Sequence, residues 1–438
     1  MPWFELHTPH TTLHTFLCMT RPLSILFAPF GSEGDVRPVL WLAGGLAARG
    51  HRITFVITPY YKHLVEARGW PALAIGSADE FAAGMRNPRL WQPRAGSELV
   101  MEIMLESLSR YAAVLDAANE TFDLVVGTTL GTGVFTWAES RRIPRLMLHL
   151  QPMCLRSVHD CPLFLESLEW LCRSPRWVKR GMFRVVDRVL TRKLLPAVNA
   201  HRQQAGLPPL RRVFADLWNG ADGVAALFPD WYAAPQPDWP ENLRQFGFPR
   251  EAPPANPPAL APAMEKFLAE GAPPILWTHG SANLDTNKFA AVAQAATNLL
   301  GGRGILVGPG VAETAATKDF LTAKPLPFAQ IFGRCRAVVH HGGIGTSVQA
   351  LAAGVPQLIV PRAHDQPDNA RRLERLGVGA RLRYDNFSTA TAVARLRGLL
   401  DLPANRAACR LFQEKVAADN SLPALCDWAE ILAANYRL

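Results

Sequence analysis

No stretch of this 438-residue chain approaches 18 uninterrupted apolar residues, although 49% of its residues are hydrophobic, so no membrane-spanning helix is expected. Cysteine is sparse and odd in number. Cys18, Cys154, Cys161, Cys172, Cys335, Cys409 and Cys426 contain no CxxC pair, which disfavours a metal site or a disulfide framework and suits a reducing cytoplasm. The first 18 residues, MPWFELHTPHTTLHTFLC, lack both a basic start and a sustained apolar core and do not read as a secretory signal. GxGxxG does not follow the first apolar strand, which leaves dinucleotide binding without support. There are no internal repeats. The net charge of +9 comes with no nucleic-acid-binding motif, so a nucleic-acid partner is not expected.

The chain does carry an alternation of short apolar runs with helical stretches. Strands are expected at Leu23–Pro29, His51–Ile57, Leu124–Gly127, Arg145–His149, Gly223–Phe228, Ile275–His279, Gly304–Gly308, Cys335–His340 and Leu358–Pro361. Such alternation implies parallel sheets with helices on both faces, an α/β class, and the length calls for two domains. A boundary is visible at Phe248–Met264, where six prolines make a stiff linker. The expected division is an extension, expected to be disordered, at 1–20, a domain at 21–248, a linker at 249–263, a domain at 264–420, and a last segment at 421–438.

Two loops carry chemistry. In VHHGGIGTSVQALAAGVPQLIVPRAHDQPDN (Val339–Asn369), a buried strand runs into a helix at Thr346–Ala353 through Gly342, Gly343 and Gly345. Glycines there let the backbone turn sharply and leave the first helical amides uncovered, so they and the helix dipole can receive an anion such as a diphosphate. Near the other end, Phe30–Val36 (FGSEGDV) reads as a loop between a strand and a helix at Pro38–Arg49, with Gly34 and Asp35 on the rim where ligands of doubly wound sheets bind. Asp35 can act as a base near a bound hydroxyl or merely cap the following helix, and the two roles are not exclusive.

The HGGIG turn followed by AAGVP and HDQ resembles the donor signature of family-one glycosyltransferases, and GSEGDVRP with LAARGH resembles the N-terminal loop of the bacterial antibiotic, sterol and rhamnosyl transferases among them. NPRLWQP (Asn87–Pro93) and LFPDWYAAPQPDWP with GFP (Leu227–Pro249) are similar to segments of the rhamnolipid rhamnosyltransferase. The resemblance runs from Pro22 to about Arg381. It implies a GT-B fold: two Rossmann-like domains facing a cleft, acceptor bound by the first, nucleotide sugar by the second, and the last helix returning to the first domain. It also implies roles for individual residues. His340 would contact the diphosphate. Gly342, Gly343, Gly345 and Thr346 would supply amides, with Gly280 and Ser281 of PILWTHGS facing the same group. Asp365 and Gln366 would bind hexose hydroxyls, and Gln349 stands where plant members carry a ribose-binding Glu. Asp35 takes the place of the catalytic His of many plant members, with His149 as the alternative base.

The resulting expectation is an inverting hexosyltransferase moving glucose or rhamnose from a UDP- or dTDP-sugar to a hydroxyl of a hydrophobic acceptor of lipid, sterol, polyketide or flavonoid type. Apart from the nucleotide-sugar co-substrate, no cofactor is expected. The DxD motif that holds a metal diphosphate in the other major glycosyltransferase fold is absent, so the transfer is expected to need no metal. A nucleotide-sugar epimerase of the same fold and a non-catalytic nucleotide-sugar-binding protein are the alternatives; the epimerase gives the acceptor-type segments no purpose, and the intact Asp35, His340, Asp365 and Gln366 argue against the binding protein.

Charge is concentrated at Arg173–Arg212, which holds eleven Lys or Arg residues against one acid, Asp187, with Trp177, Phe183, Val186 and Leu190 interleaved. Read as a basic amphipathic helix, it suits peripheral contact with the inner face of a membrane; read plainly, it is a solvated cationic face.

Overall fold

The computed structural model describes residues 21–251, 259–280, 287–308, 317–324 and 326–436. The extension 1–20, most of the proline-rich linker and Ser281 lie outside them.

Thirteen strands form two sheets among the described residues, and every strand pair is parallel. The first sheet comprises β1 (Ser24–Ala28), β2 (Arg52–Ile57), β3 (Ala72–Ala74), β4 (Leu124–Thr128), β5 (Arg145–His149), β6 (Gly223–Leu227) and β7 (Leu243–Phe246), in the order β3-β2-β1-β4-β5-β6-β7. The second comprises β8 (Ile275–Thr278), β9 (Gly304–Val307), β10 (Phe320–Ala323), β11 (Ala337–His340), β12 (Gln357–Ile359) and β13 (Gly379–Arg381), in the order β10-β9-β8-β11-β12-β13. Central strands are buried along their length because helices cover both faces, which is why they read as unbroken apolar runs. In each sheet the order reverses beside the first strand, β1 or β8, and a crevice opens at the strands' carboxyl ends.

The helix after β1 spans Glu33–Ala48, five residues earlier than the proline suggests. Ser32 and Asp35 start it as a reciprocal cap, and Pro38 falls in the second turn, where the carbonyl it cannot serve belongs to the exposed Gly34. Asp35 is thus a helical residue, not a loop residue.

The last helix, Leu422–Asn435, packs on the first sheet's side. Leu425, Cys426, Trp428 and Ala429 share one core cluster with Ile25, Phe27 and Phe55. Gly45 permits the contact, since a Cβ there would lie 2.8 Å from Leu422 Cδ1 and 2.9 Å from Cys426 Sγ. His51 Nε2 and Glu430 Oε1 pair at 2.8 Å behind it.

Candidate active site

The helix after β1 aims Asp35 into the crevice. Gly31 makes the turn at φ +128°, and a Cβ there would collide with the Asp35 carboxyl at 2.3 Å. Asp35 Oδ2 accepts from Ser32 N at 2.7 Å and from Ser32 Oγ at 3.1 Å, which leaves Oδ1 for a ligand. Burial pushes its pKa up to about 6 against the pull of the Ser32 bonds. Tyr61 closes one side, its hydroxyl accepting from Glu33 N at 3.0 Å.

On the second sheet, β11 ends in two adjacent histidines that point to opposite sides. His340 is fully buried, its Nδ1 accepting from Gly342 N at 3.1 Å and its Nε2 bound to Gln357 Oε1 at 2.9 Å on the neighbouring strand. Both nitrogens are used, and burial holds the ring neutral with its pKa lowered to about 4. The sequence resemblance puts His340 on the diphosphate; in the fold it ties β11 to β12. His341 turns the other way. Its ring lies against Gly280 and Gly343, where added Cβ atoms would come within 2.4 Å of Cε1 and 2.5 Å of Nε2, and its buried Nδ1 has no hydrogen-bond partner. Burial, then His340 and His279, lower its pKa to about 3, so it is a neutral donor and acceptor beside the glycine turn.

The helix Ile344–Ala352 opens at that turn, two residues before the expected start, with Gly343 as its N-cap. Gly342 adopts φ +94° against Ile359, and Gly345 is exposed with open space around it. Thr346 is half-buried in the first turn, while Gln349 donates through Nε2 back to Gly345 O at 3.4 Å. The first-turn amides therefore converge with His341 and Gly280, whose own amide donates to Thr278 Oγ1 at 3.2 Å.

The loop after β12 brings Asp365 to the same point. Its carboxylate accepts from Asn369 Nδ2 at 2.6 Å and lies near the backbone of Ile344 at the helix start. Burial, then the negative charge of Asp35, push its pKa up to about 7. Gln366 instead holds the loop, its Oε1 accepting from Arg362 N at 2.8 Å and Ala363 N at 3.2 Å, so only its amide NH2 is left to reach a sugar. The turn is tight enough to put His364 at φ +59°.

Several contributors are silent in the sequence. His364 Nε2 binds Leu90 O at 2.9 Å and its ring meets Trp91 edge-on at 6.0 Å, so the NPRLWQP segment of the first domain abuts the loop after β12. The helix Gln366–Arg375 is clamped to the first domain: Leu163 N donates to Asp368 Oδ1 at 2.9 Å, Arg372 bridges Asp368 and Asp160 at 2.7 Å each, and Tyr232 Oη donates to Asn369 Oδ1 at 3.2 Å. Cys154 lies within Coulomb reach of both Asp35 and Asp365, which, after burial, raise its thiol pKa to about 12. These groups come from segments far apart in the chain and carry no local signal. His149 is fully buried, and both its ring nitrogens are taken, by Thr129 Oγ1 at 2.8 Å and Asn219 Oδ1 at 2.9 Å. Among the described residues no cluster of three or more His, Cys, Asp or Glu side chains could hold a metal ion, and no helix is long and apolar enough to cross a membrane.

Two facing parallel sheets, an acid on the first, and a glycine turn with histidine and acid on the second define a GT-B architecture. Residues 313–427 match the family profile of the erythromycin biosynthesis protein CIII-like C-terminal domain. Over 93% of its length the chain is 29% identical to the O-mycaminosyltylonolide 6-deoxyallosyltransferase of Streptomyces fradiae, covering 98% of that protein. The calicheamicin glycosyltransferase CalG4 superposes with a TM-score of 0.67 at 23% identity, covering 94% of this chain and 99% of that one. The spinosyn rhamnosyltransferase SpnG, solved with thymidine diphosphate, does so at 0.64 and 18%, covering 93% and 100%. The chain is a glycosyltransferase of the GT-B fold.

Proposed function

We propose that the protein transfers a hexose, glucose or a 6-deoxyhexose such as rhamnose, with inversion from a UDP- or dTDP-sugar to a hydroxyl of a hydrophobic acceptor. The observation that carries this is Asp35 of the first domain facing Asp365 of the second, beside a helix start and an unpartnered buried histidine. Relatives solved with thymidine diphosphate favour dTDP over UDP, and relatives named for 6-deoxyallosyl and rhamnosyl transfer favour a deoxy sugar.

The diphosphate lies against the amides of Ile344, Gly345 and Thr346, with His341 taking the role that the sequence alone gives to His340. Preorganised donors of this kind in a dry cleft contribute roughly 3 to 4 kcal/mol each to leaving-group stabilisation. Asp365 and the Gln366 amide hold hexose hydroxyls. Asp35 Oδ1 takes the proton from the acceptor hydroxyl as its oxygen forms the new bond to the anomeric carbon, and the bond to the diphosphate breaks on the opposite face. With a pKa near 6, Asp35 is mostly ionised at neutral pH and is a stronger base than an ordinary carboxylate. Charge on the leaving group is met by amides, a helix dipole and an imidazole, a donor set that asks for no metal.

The test is incubation with UDP-glucose, dTDP-glucose and dTDP-rhamnose, each with and without a panel of apolar hydroxyl acceptors, followed by NMR of the anomeric centre. An inverted glycoside is expected. A retained configuration, or sugar isomerised with no acceptor present, would sink the reading, the latter in favour of an epimerase; donor binding without turnover across the panel would point to a binding protein.

A further inference from the structure

The helix Arg176–Gln204 has a packed side and an open side. Phe183, Leu194, Leu195 and Val198 are buried on the first, against the 158–171 segment and the helix Pro93–Ala118. On the second, Arg176, Arg180, Arg184, Arg188 and Arg192 recur every fourth residue, and all five are exposed. Alongside runs an apolar row: Trp177 is 74% exposed, Val185 56% and Val189 57%. Both rows are unusual. Like charges four apart on a helix repel, and the helix's one acid, Asp187, turns inward to pair with Arg156 at 2.8 Å. None of the five arginines forms an ion pair with a described residue.

We propose that this face of the helix docks on a bilayer containing anionic lipid. A lipid surface satisfies both rows at once: headgroup phosphates take the guanidinium groups, whose stems lie along the interface, while Trp177, Val185 and Val189 enter the acyl boundary. A nucleic-acid backbone would meet the charge but leave the apolar row in water. Docking is reversible, because charge and three side chains anchor the chain and no helix among the described residues can span the membrane. The transferase reading is independent of this, since the face shares no residue with the site built around Asp35, His341 and Asp365.

The full chain is to be sedimented with vesicles of phosphatidylcholine alone and of phosphatidylcholine with phosphatidylglycerol. Binding is expected to the anionic vesicles only and to weaken with added salt. Each basic residue near an anionic surface is worth roughly a factor of five in binding, so R180E/R184E/R188E together should lose at least about tenfold. Trp177→Ala should weaken binding severalfold without changing its salt dependence. Both variants should keep the wild-type melting temperature and turnover of a water-soluble acceptor. If the triple variant melts early, Trp177→Ala and Arg184→Gln give the same comparison with less change of charge. The proposal fails if wild-type protein does not sediment with anionic vesicles, or if the variants sediment as wild type does. It also fails if a DNA duplex displaces the vesicles while Trp177→Ala has no effect, which would make the face a general polyanion site.

Discussion

Asp35 and Asp365, one from each domain, sit within Coulomb reach of one another across the cleft, and burial first, then the charge of Asp35, raises the pKa of Asp365 to about 7. The interaction is reciprocal: ionising either acid disfavours ionising the other. A sugar bound between them must therefore meet one carboxylate and one partly protonated acid at neutral pH, a base on the acceptor side and a hydrogen-bond donor on the sugar side.

Transfer should accordingly fall with pH through an acid limb near 6, as Asp35 takes up its proton. Asp365→Asn should leave that limb in place, because Asp365 titrates above Asp35 and is already mostly protonated, hence neutral, where Asp35 ionises. A profile of kcat/KM against pH for the wild type and variant checks this; a limb displaced in the variant would mean that Asp365 carries charge where Asp35 ionises.

Asp35→Asn keeps size and most of the capping capacity but cannot accept a proton. Fold and donor affinity should survive while transfer drops 10²- to 10⁴-fold, the range of a lost general base. A folded variant that retains more than about a tenth of wild-type transfer would place the base elsewhere, though not at His149, whose nitrogens are both bonded.

The two histidines should separate. His341→Ala should weaken binding of free dTDP or UDP severalfold with little change in melting temperature. His340→Ala should lower the melting temperature, since it strands Gln357 Oε1 and the Gly342 amide in the core at about 1 to 3 kcal/mol each. Calorimetric titration and thermal melts of both variants would show whether this division holds or is reversed.

Asp365 and Asp35 also set a stability slope. Both have folded pKa values above the ordinary 3.8, so the stabilisation from their protonated forms is full below pH 3.8 and is lost as pH rises through about 6 and 7. For Asp365 the displacement corresponds to at most about 4 kcal/mol at pH 8. Asp365→Asn should thus melt higher than wild type at pH 8 and show little advantage at pH 4, while losing turnover. Its affinity for free nucleoside diphosphate should hold or rise, because a negative charge near the helix start is removed.

Arg372→Ala would leave Asp368 buried without its main partner and cut the bridge to Asp160. Loss of about 3 to 5 kcal/mol is expected from breaking such a buried pair, read as a large fall in the denaturant midpoint. Replacing the surface pair partner Arg37, half-exposed beside Glu33, should cost under about 1 kcal/mol.

The sequence by itself determined the architecture, because central strands of a parallel sheet are apolar on both faces and need no partner to be seen. Every strand read from the sequence is present, and the four not read, β3, β7, β10 and β13, are the four sheet edges. These are three or four residues long, and in β3, β7 and β13 the side chains are mostly half-exposed, so no continuous apolar run marks them. The glycine turn and the loop after β12 were legible for a similar reason, as positive φ and close approach restrict the residue types locally. Which of His340 and His341 turns toward Gly280 and the helix start was not legible. Adjacent residues at a strand end point to opposite sides, and both sides of this sheet are covered, so only the position of Gln357 on the neighbouring strand and of Gly280 after β8 decides it. The same holds for Asp365. Its residue type suits a sugar, but its raised pKa comes from burial and from an Asp35 brought to it by the meeting of two domains, a proximity that no spacing along the chain encodes.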